Sequence, residues 1–245
     1  MRTSQEPGYQ QYMRFSSPLV EARLVRRYKR FLADVTFANG ETMTVHCANP
    51  GAMTGLAEPG MRIFLSKSES KTRKLAWSWE LVEIDGTLVG INTAHPNRLV
   101  TEALGNGAVP ELAGFETMRR EVRYGKNSRI DILLTGPDDA ETYVEIKNVH
   151  LMREPGLAEF PDSVTVRGAK HLNELADMVA AGHRAVMLYL IQRTDAANFR
   201  LASDIDPTYA AAFARASAAG VEIIVYDCRL SLEEISINRS VPFLG

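Results

Sequence analysis

Residues 128–149 constrain this chain more tightly than any other stretch. They read as two strands, SRIDILL and YVEIKNV, separated by the cluster TGPDDAE. Thr, Gly, Pro and Asp at that density are hairpin-loop chemistry. Nearly every other position in both strands is apolar, the pattern of a strand buried on both faces. Asp131, Glu145 and Lys147 interrupt that pattern. With the hairpin centred on Asp138, facing residues have numbers that sum to 276, so Asp131 stands opposite Glu145. Directly opposite residues project from one face of a sheet, and Lys147, two residues on, shares that face. Ile130, Ile132 and Ile146 then point the other way. A cross-strand ion pair on a solvated face fits the spacing equally well. The apolar context favours burial, and buried charges require partners or a metal.

Two carboxylates on one face suit a hard cation such as Mg2+ or Mn2+, which takes oxygen ligands and keeps waters. Such an ion can polarise a phosphoryl group and activate water. Lys147 is placed to position that water or to offset developing negative charge. Glu102, on the short helix expected before these strands, is a candidate third acid if that helix packs against the open end of the sheet.

The rest of the chain divides by pattern near residue 93. Residues 14–90 carry 11 Lys and Arg against 8 Asp and Glu, whereas residues 91–245 carry 16 against 21. The first part is β-rich. VEARLVRR, RFLADVTF, ETMTVHC, MRIFLSKS, KLAWSWELVEI and TLVGINT read as strands, with type I′ turns expected at Asn39-Gly40 and Asp85-Gly86. Five or six short strands in about 75 residues fit a small barrel. No helix is expected before residue 97. The later part reads α-β-β-β-α-β-α-β, with a helix over 97–105 capped by Asn97 and stopped by Gly105. Strands follow over 115–124, 128–136 and 141–149, then a loop over 151–163. A helix over 166–181, a buried strand over 184–193, a helix over 207–219 and a strand over 221–228 complete the order.

Composition excludes several classes. A net charge of -2 rules out a polybasic, histone-like protein. Two cysteines, Cys47 and Cys228, exclude a disulfide framework and a four-Cys zinc site, and they fit a reducing, cytoplasmic compartment. The longest apolar run, over 185–191, is far below the roughly 20 residues of a membrane span. Residues 1–12 read as a polar extension without a signal peptide's apolar core, with Met13 as the domain start.

Two further clusters are candidates for phosphate contact. Arg167, Lys170, His171 and Glu174 fall on one face of the 166–181 helix, either as a solvated ion-paired face or reaching phosphates beside the acids. Zinc ligation by His171 lacks a second His or Cys at ligand spacing. In the first part, Arg23, Arg26, Arg27, Lys29 and Arg30 surround Tyr28. A cationic stripe with an aromatic platform suits single-stranded nucleic acid on an OB fold and also binds duplex phosphates; a charged edge that blocks aggregation is the plainer reading. Lys67, Lys71, Arg73 and Lys74 form a second basic loop before Trp77 and Trp79, of which at least one is expected in the barrel core. The loop over 49–55 lacks the GK[ST] ending of a P-loop. It is a tight turn, a contact between the two parts or a phosphate contact.

Asp131, then Glu145-Ile146-Lys147, in an α-β-β-β-α-β order resembles the PD-(D/E)XK nuclease fold. Over residues 13–243 the segments MRFSSPLVEARLVRRYKRFLADV, HCANPGAMTG, SRIDILL, YVEIKNV and FPDSVTVRGAKHLNEL resemble the sugar fermentation stimulation protein A (SfsA) family. The resemblance implies an OB-like β-barrel over 13–93 followed by a restriction-endonuclease-like αβββαβ domain over 94–245. It also implies nucleic-acid binding and a link to sugar-utilisation genes such as those for maltose. By the nuclease pattern Asp131, Glu145 and Glu102 carry the metal and Lys147 assists. Pro50 stands where Thr is expected, and Val166 where Glu is expected. The leading expectation is a Mg2+- or Mn2+-dependent nuclease acting on DNA, with RNA and single strands as other candidate substrates and no membrane partner. The alternatives are a DNA-binding regulator that does not use the chemistry, and a metal hydrolase with no nucleic-acid substrate.

Overall fold

The computed structural model describes residues 13–125 and 127–245; the polar extension expected over residues 1–12 lies outside them. Strand β1 (Met13–Arg14) leads into β2 (Val20–Tyr28), β3 (Leu32–Phe37), β4 (Thr42–Cys47), β5 (Arg62–Lys67), β6 (Trp77–Ile84) and β7 (Thr87–Gly90). The strands β4-β3-β2-β5-β6-β7 form one sheet, and β4 also pairs in parallel with β6 at His46–Ser78 and Cys47–Trp79. That pairing closes a five-stranded barrel, which leaves no open edge along those strands. Period-2 alternation fills it: Ala22 and Leu24, Ala33 and Val35, Val45 and Cys47 all point inward with Trp79. The Trp79 indole donates to the Leu81 carbonyl at 2.9 Å, whereas Trp77 is half-exposed.

The Asp85-Gly86 turn has both residues at positive φ, +49° and +80°, as type I′ requires. The other turn differs from expectation. Only Gly40 is at positive φ, +83°, and its N–H donates to the Phe37 carbonyl at 2.9 Å. Ala38 adds a third residue to the loop, so the geometry becomes a type I turn with one left-handed glycine.

Helix α1 (Pro96–Gly105) follows, then β8 (Thr117–Tyr124), β9 (Ser128–Thr135) and β10 (Glu141–Val149). The segment expected as a loop over 151–163 instead contains a hairpin, β11 (Leu151–Glu154) and β12 (Leu157–Phe160). Then come α2 (Val166–Ala180), β13 (Arg184–Ile191), β14 (Asn198–Leu201), α3 (Pro207–Ala218), β15 (Glu222–Leu230) and β16 (Glu234–Ser240). The strands β11-β12-β14 make a small sheet, and β1-β16-β15-β13-β10-β9-β8 make a seven-stranded one whose centre, β10-β13-β15, is parallel. Helices cover both faces of that centre, as buried parallel strands require. On one side α1 contributes Leu99, Val100 and Leu104 to a core with Ile132, Val144 and Ile146, and Phe64 and Leu81 of the barrel join it. On the other, Leu172 and Leu175 of α2 and Tyr209 and Phe213 of α3 pack with Leu133, Tyr143 and Tyr189.

Caps position the helices. Thr165 caps α2 by accepting from Gly168 N at 3.1 Å, and Asp206 caps α3 through Tyr209 N while also accepting from Thr165 N at 2.7 Å. Helix α1 has no side-chain cap: Pro96 opens it, so Asn97 lies inside the first turn. Cys47 and Cys228 are buried free thiols. Among the described residues no helix is long and apolar enough to cross a membrane.

Candidate active site

The ladder between β9 and β10 pairs Glu141 with Thr135 through Val144 with Ile132, the register expected from the turn. The next rung carries Asp131 and Glu145, and there the ladder stops. The Asp131 carboxylate takes over, accepting from Ile146 N at 2.8 Å through Oδ2. Its Oδ1 accepts from the Asn97 amide at 2.8 Å. A short polar side chain substitutes for a backbone carbonyl, so the strands part while their buried groups stay bonded.

The same rung reaches one strand further. Across β8 and β9 facing residues sum to 252, from Thr117–Thr135 to Tyr124–Ser128, which sets Glu121 beside Asp131. Glu121 is at φ +52°, and its Oε1 shares the Asn97 amide at 3.4 Å. Both strands switch faces at this rung. Met118, Ile132 and Leu134 pack on the α1 side, whereas Val122, Tyr124 and Ile130 pack on the α2 side. Ile132 and Ile146 thus point away from the carboxylates as expected, whereas Ile130 packs on the α2 side; on β8 the left-handed backbone at Glu121 marks the same rung.

Glu145 is 2% exposed. Lys147 Nζ donates to its Oε1 at 2.7 Å, and His171 Nδ1 contacts the same oxygen. Arg167 Nε donates to His171 Nε2 at 3.2 Å. An arginine can only donate, so Nε2 accepts and Nδ1 carries the proton that His171 gives to Glu145. Glu145 Oε2 is buried without a hydrogen-bond partner. The two acids differ in acidity. Burial and the neighbouring Glu145 charge raise Asp131 above the ordinary carboxyl value, against the opposing pull of Ile146 N–H, Asn97 and Lys147. Burial also pushes Glu145 up, but Lys147 and His171 outweigh it and hold Glu145 below its ordinary value. Burial raises the nearby Tyr124 phenol far out of range, and the Glu145 charge adds to it.

The two acids and their partners line a cleft of about 1160 Å³ between the barrel and the large sheet. Asp131, Glu145, Lys147, His171, Arg167 and Arg30 all face it, as do Asn97, Arg120 and Glu121. Lys170 does not; it pairs with Glu174 at 3.6 Å, and Glu174 is turned inward rather than to solvent. Glu102 is also elsewhere. It accepts from Arg98 at 2.7 Å and lines a separate hollow of about 220 Å³ with Ser236 and Ile237. Helix α1 meets the rung with its first turn, so Asn97 arrives there. Glu102, five residues on, is displaced about 7.5 Å along the axis and rotated by roughly 140°. Among the described residues, no three His, Cys, Asp or Glu side chains form a ready-made metal cage. Two carboxylates nonetheless fit a hard cation that keeps most of its water, and the unsatisfied Glu145 Oε2 is the acceptor such an ion would fill.

The basic stripe of β2 does not form one surface. Arg27 donates to the carbonyls of Asn49 and Gly51 at 2.8 Å and of Ala52 at 3.3 Å. Arg23 reaches Gly60 O at 3.2 Å. Arg26 pairs with Asp34 at 2.8 Å and covers the Tyr28 ring at 4.8 Å, and the Tyr28 hydroxyl donates to Asp34. Tyr28 is therefore covered rather than open for base stacking. A bulge between Leu24 and Arg26 splits the stripe between faces. Lys29 and Arg30 sit at positive φ in the turn after β2, and only Arg30 of this group lines the cleft. In the second basic loop, Arg73 is engaged by Ser78 at 2.7 Å. The 49–55 loop joins the two parts: Met53 N donates to Asp162 Oδ2 at 3.2 Å, and a Cβ on Gly51 would lie 2.3 Å from that same oxygen.

Sequence reasoning missed Asn97 as a ligand of Asp131, and Glu121. The same hairpin arithmetic applied around residues 124–128 places Glu121 on the rung. Its strand, TMRREVRY, reads as an ordinary polar edge and gives no apolar context to mark it.

Comparison with known proteins agrees with this architecture. The profile of the SfsA N-terminal OB domain matches residues 25–91, and that of the sugar fermentation stimulation protein RE domain matches residues 94–234. The sugar fermentation stimulation protein homolog of Rhodospirillum centenum is 59% identical over 229 residues, 94% of this chain and 98% of that protein. Its counterpart in Paramagnetospirillum magneticum is 58% identical over 226 residues, 92% and 95% of the two chains. The structure of Pyrococcus furiosus SfsA in complex with Ca2+ superposes with a TM-score of 0.87 at 26% identity, covering 96% of this chain and 99% of that one.

Proposed function

The chain belongs to the sugar fermentation stimulation protein (SfsA) family, and from that premise we propose that it is a divalent-metal-dependent nuclease that hydrolyses phosphodiester bonds in DNA. One observation carries the reading. Asp131 and Glu145 share a rung at the floor of a cleft lined by arginines, and the Glu145 oxygen Oε2 has no partner. The relative from Pyrococcus furiosus is in complex with Ca2+, a hard cation that takes oxygen ligands, and this supports a divalent cation as the cofactor; the carboxylate pair is our assignment of its site. We divide the chain accordingly into an OB-like part over 13–93 and a nuclease-like part over 94–245, and assign it to the cytoplasm.

Asp131 and Glu145 would hold the ion, Mg2+ or Mn2+. When bound, such an ion polarises a phosphoryl oxygen and makes water more acidic. The chain's own residues do the rest. Ile146 N–H and Asn97 lock Asp131. His171 and Lys147 occupy Glu145 Oε1, so Oε2 would be the oxygen left to hold the ion. The Lys147 ammonium, bonded to Glu145 in the same cleft, would offset negative charge developing on a phosphoryl group held there. Arg30, Arg120 and Arg167 supply bidentate donors for phosphate oxygens in the cleft walls.

The test is cleavage of end-labelled single- and double-stranded DNA and RNA with Mg2+, Mn2+ or chelator. Metal-dependent cleavage is expected, with Glu145→Ala reducing it on the order of 10³-fold or more while nucleic-acid binding persists. Binding without cleavage under every metal would replace this reading with the non-catalytic regulator of sugar-utilisation genes. Cleavage retained by Glu145→Ala would remove the site assignment.

A further inference from the structure

The face switch at the Glu121–Asp131 rung has a consequence beyond the carboxylates. Past it, Val122, Tyr124 and Ile130 turn toward α2, so Arg123 and Arg129, which alternate with them, turn to the opposite, solvent-facing side. Arg123 stands directly opposite Arg129 in the ladder. Like charges directly opposite one another destabilise a sheet. Both line a hollow of about 470 Å³ with Gly125, Asn127 and Ser128, and Arg120, just before the rung, lines the cleft.

Most arginines elsewhere are matched. Arg153 is held by Glu159 and Asp204, Arg184 by Glu222, Arg193 by Asp195 and Arg239 by Asp227. Among the described residues, the arginines with no side-chain hydrogen bond or ion pair are Arg30, Arg120, Arg123, Arg129 and Arg215. Four of these five stand in the cleft wall or along this one hairpin, which is an edge of the large sheet. Guanidinium groups repeated along an edge, opposed to each other and unmatched by any carboxylate, complement a polyanion with regularly spaced charges. Arg123 and Arg129 lie two residues from the carboxylate rung, roughly 7 Å along the strands, which suits phosphates neighbouring the one in the cleft.

We propose that the β8–β9 hairpin is a phosphate-binding track that carries a nucleic-acid strand out of the cleft, with Arg120, Arg123 and Arg129 as its contacts. The proposal rests on the nuclease reading of the cleft and names the route its substrate takes. The track replaces the β2 stripe, whose cations are largely spent on internal bonds.

The experiment is the salt dependence of binding by the full chain, in chelator to prevent cleavage, with labelled single- and double-stranded DNA and RNA. For the double variant Arg123→Gln, Arg129→Gln, affinity at about 0.1 M salt is expected to fall on the order of tenfold, and the slope of log K against log salt to become shallower by about one unit per arginine. Its thermal midpoint is expected not to fall, because an opposed pair of like charges has been removed. Arg215→Gln, on α3 away from the cleft, is expected to bind as wild type. Unchanged affinity and slope in the double variant, beside weakened binding by Arg30→Gln, would overturn the track and leave the nuclease reading standing. A double variant that aggregates yet binds normally would mean that the arginines only guard a sheet edge, which also overturns it. No binding by the wild type would remove both.

Discussion

The barrel and the large sheet treat charge in opposite ways. In the barrel, cations that look available in the sequence are consumed internally. Arg27 ties down three carbonyls of the 49–52 loop, Arg26 covers Tyr28, and Arg62 bridges Glu21 and Glu83. Around the Asp131 rung, groups are left with capacity to spare: the buried Glu145 Oε2 has no partner, and the exposed Arg30 and Arg120 face the cleft unmatched. Leaving a buried acceptor unmade costs about 1–3 kcal/mol. The barrel thus spends most of its guanidinium donors on its own carbonyls and carboxylates, although Arg27 Nε is itself buried without an acceptor, whereas the cleft keeps a carboxylate oxygen and two guanidinium groups open to a ligand. A run of basic residues in a sequence is therefore a count of charges, not a surface.

Replacing Arg27 tests the barrel half of that contrast and carries the largest expected effect on stability. Arg27→Ala strands the carbonyls of Asn49, Gly51 and Ala52 and removes charge-assisted bonds, at a cost of roughly 3 kcal/mol. For a chain of this size that lowers the thermal midpoint by roughly 6–12 °C. The salt slope of nucleic-acid binding is expected to stay at the wild-type value. A shallower slope with unchanged stability would make the stripe a phosphate contact after all and break the comparison.

The seam between the two parts gives the next effect. Asp162 accepts from Met53 N across the seam and from His150 Nε2 at 3.2 Å. Asn148 donates to His150 Nδ1, so Nε2 is the donor. Burial alone would raise the Asp162 carboxyl, but His150, Met53 N–H and the Ser163 hydroxyl outweigh it and hold it at about 2, against an ordinary 3.8. A carboxyl depressed by folding contributes stability fully present above its unfolded value and lost as pH falls through its folded value. Asp162 therefore contributes about 2 kcal/mol above pH 4, fading between pH 4 and 2. Asp162→Asn is expected to lose that amount at neutral pH and to converge with wild type near pH 2, as read from denaturant melts across pH. A gap that persists at pH 2 would show that Asp162 acts by packing against Gly51 rather than by charge.

How much of this was legible in the sequence follows the same division. The β9–β10 register was readable because a hairpin's turn fixes which residues face each other and because apolar neighbours mark the charged positions. Three things were not. Backbone acceptors carry no sequence signature, so the engagement of Arg27 and Arg23 was invisible. Helical periodicity groups Arg167, Lys170, His171 and Glu174 on one stripe without saying which way it faces; the helix turns His171 and Glu174 inward and leaves Lys170 outside. Glu102 was placed by analogy with a helix acid, and the first turn of α1, with Asn97, is what meets Asp131. The 151–163 segment lacked a long apolar run, yet it pairs with β14, a partner some forty residues on that local pattern cannot announce.

The smallest expected effect is the one that most sharpens the contrast, because it acts through geometry alone. His171 sits on α2 at the cleft wall, where its Nδ1 contacts Glu145 and lies 3.3 Å from Lys147 Nζ. Its Nδ1–H fixes Glu145 Oε1, and Arg167 fixes the tautomer that makes this possible. Loss of such an outer partner lowers metal affinity on the order of tenfold. His171→Ala should therefore weaken Mn2+ binding, measured by calorimetry on the nucleic-acid-free protein, by about that factor while its fold persists. His171→Asn, whose amide can still donate to Glu145, should recover much of the loss, and a variant that is destabilised without changed affinity would mark His171 as core packing only. Arg167→Gln separates the two further arrangements. If Arg167 serves the tautomer, its loss weakens Mn2+ binding in parallel with His171→Ala; if it serves phosphate, Mn2+ affinity holds and nucleic-acid affinity falls.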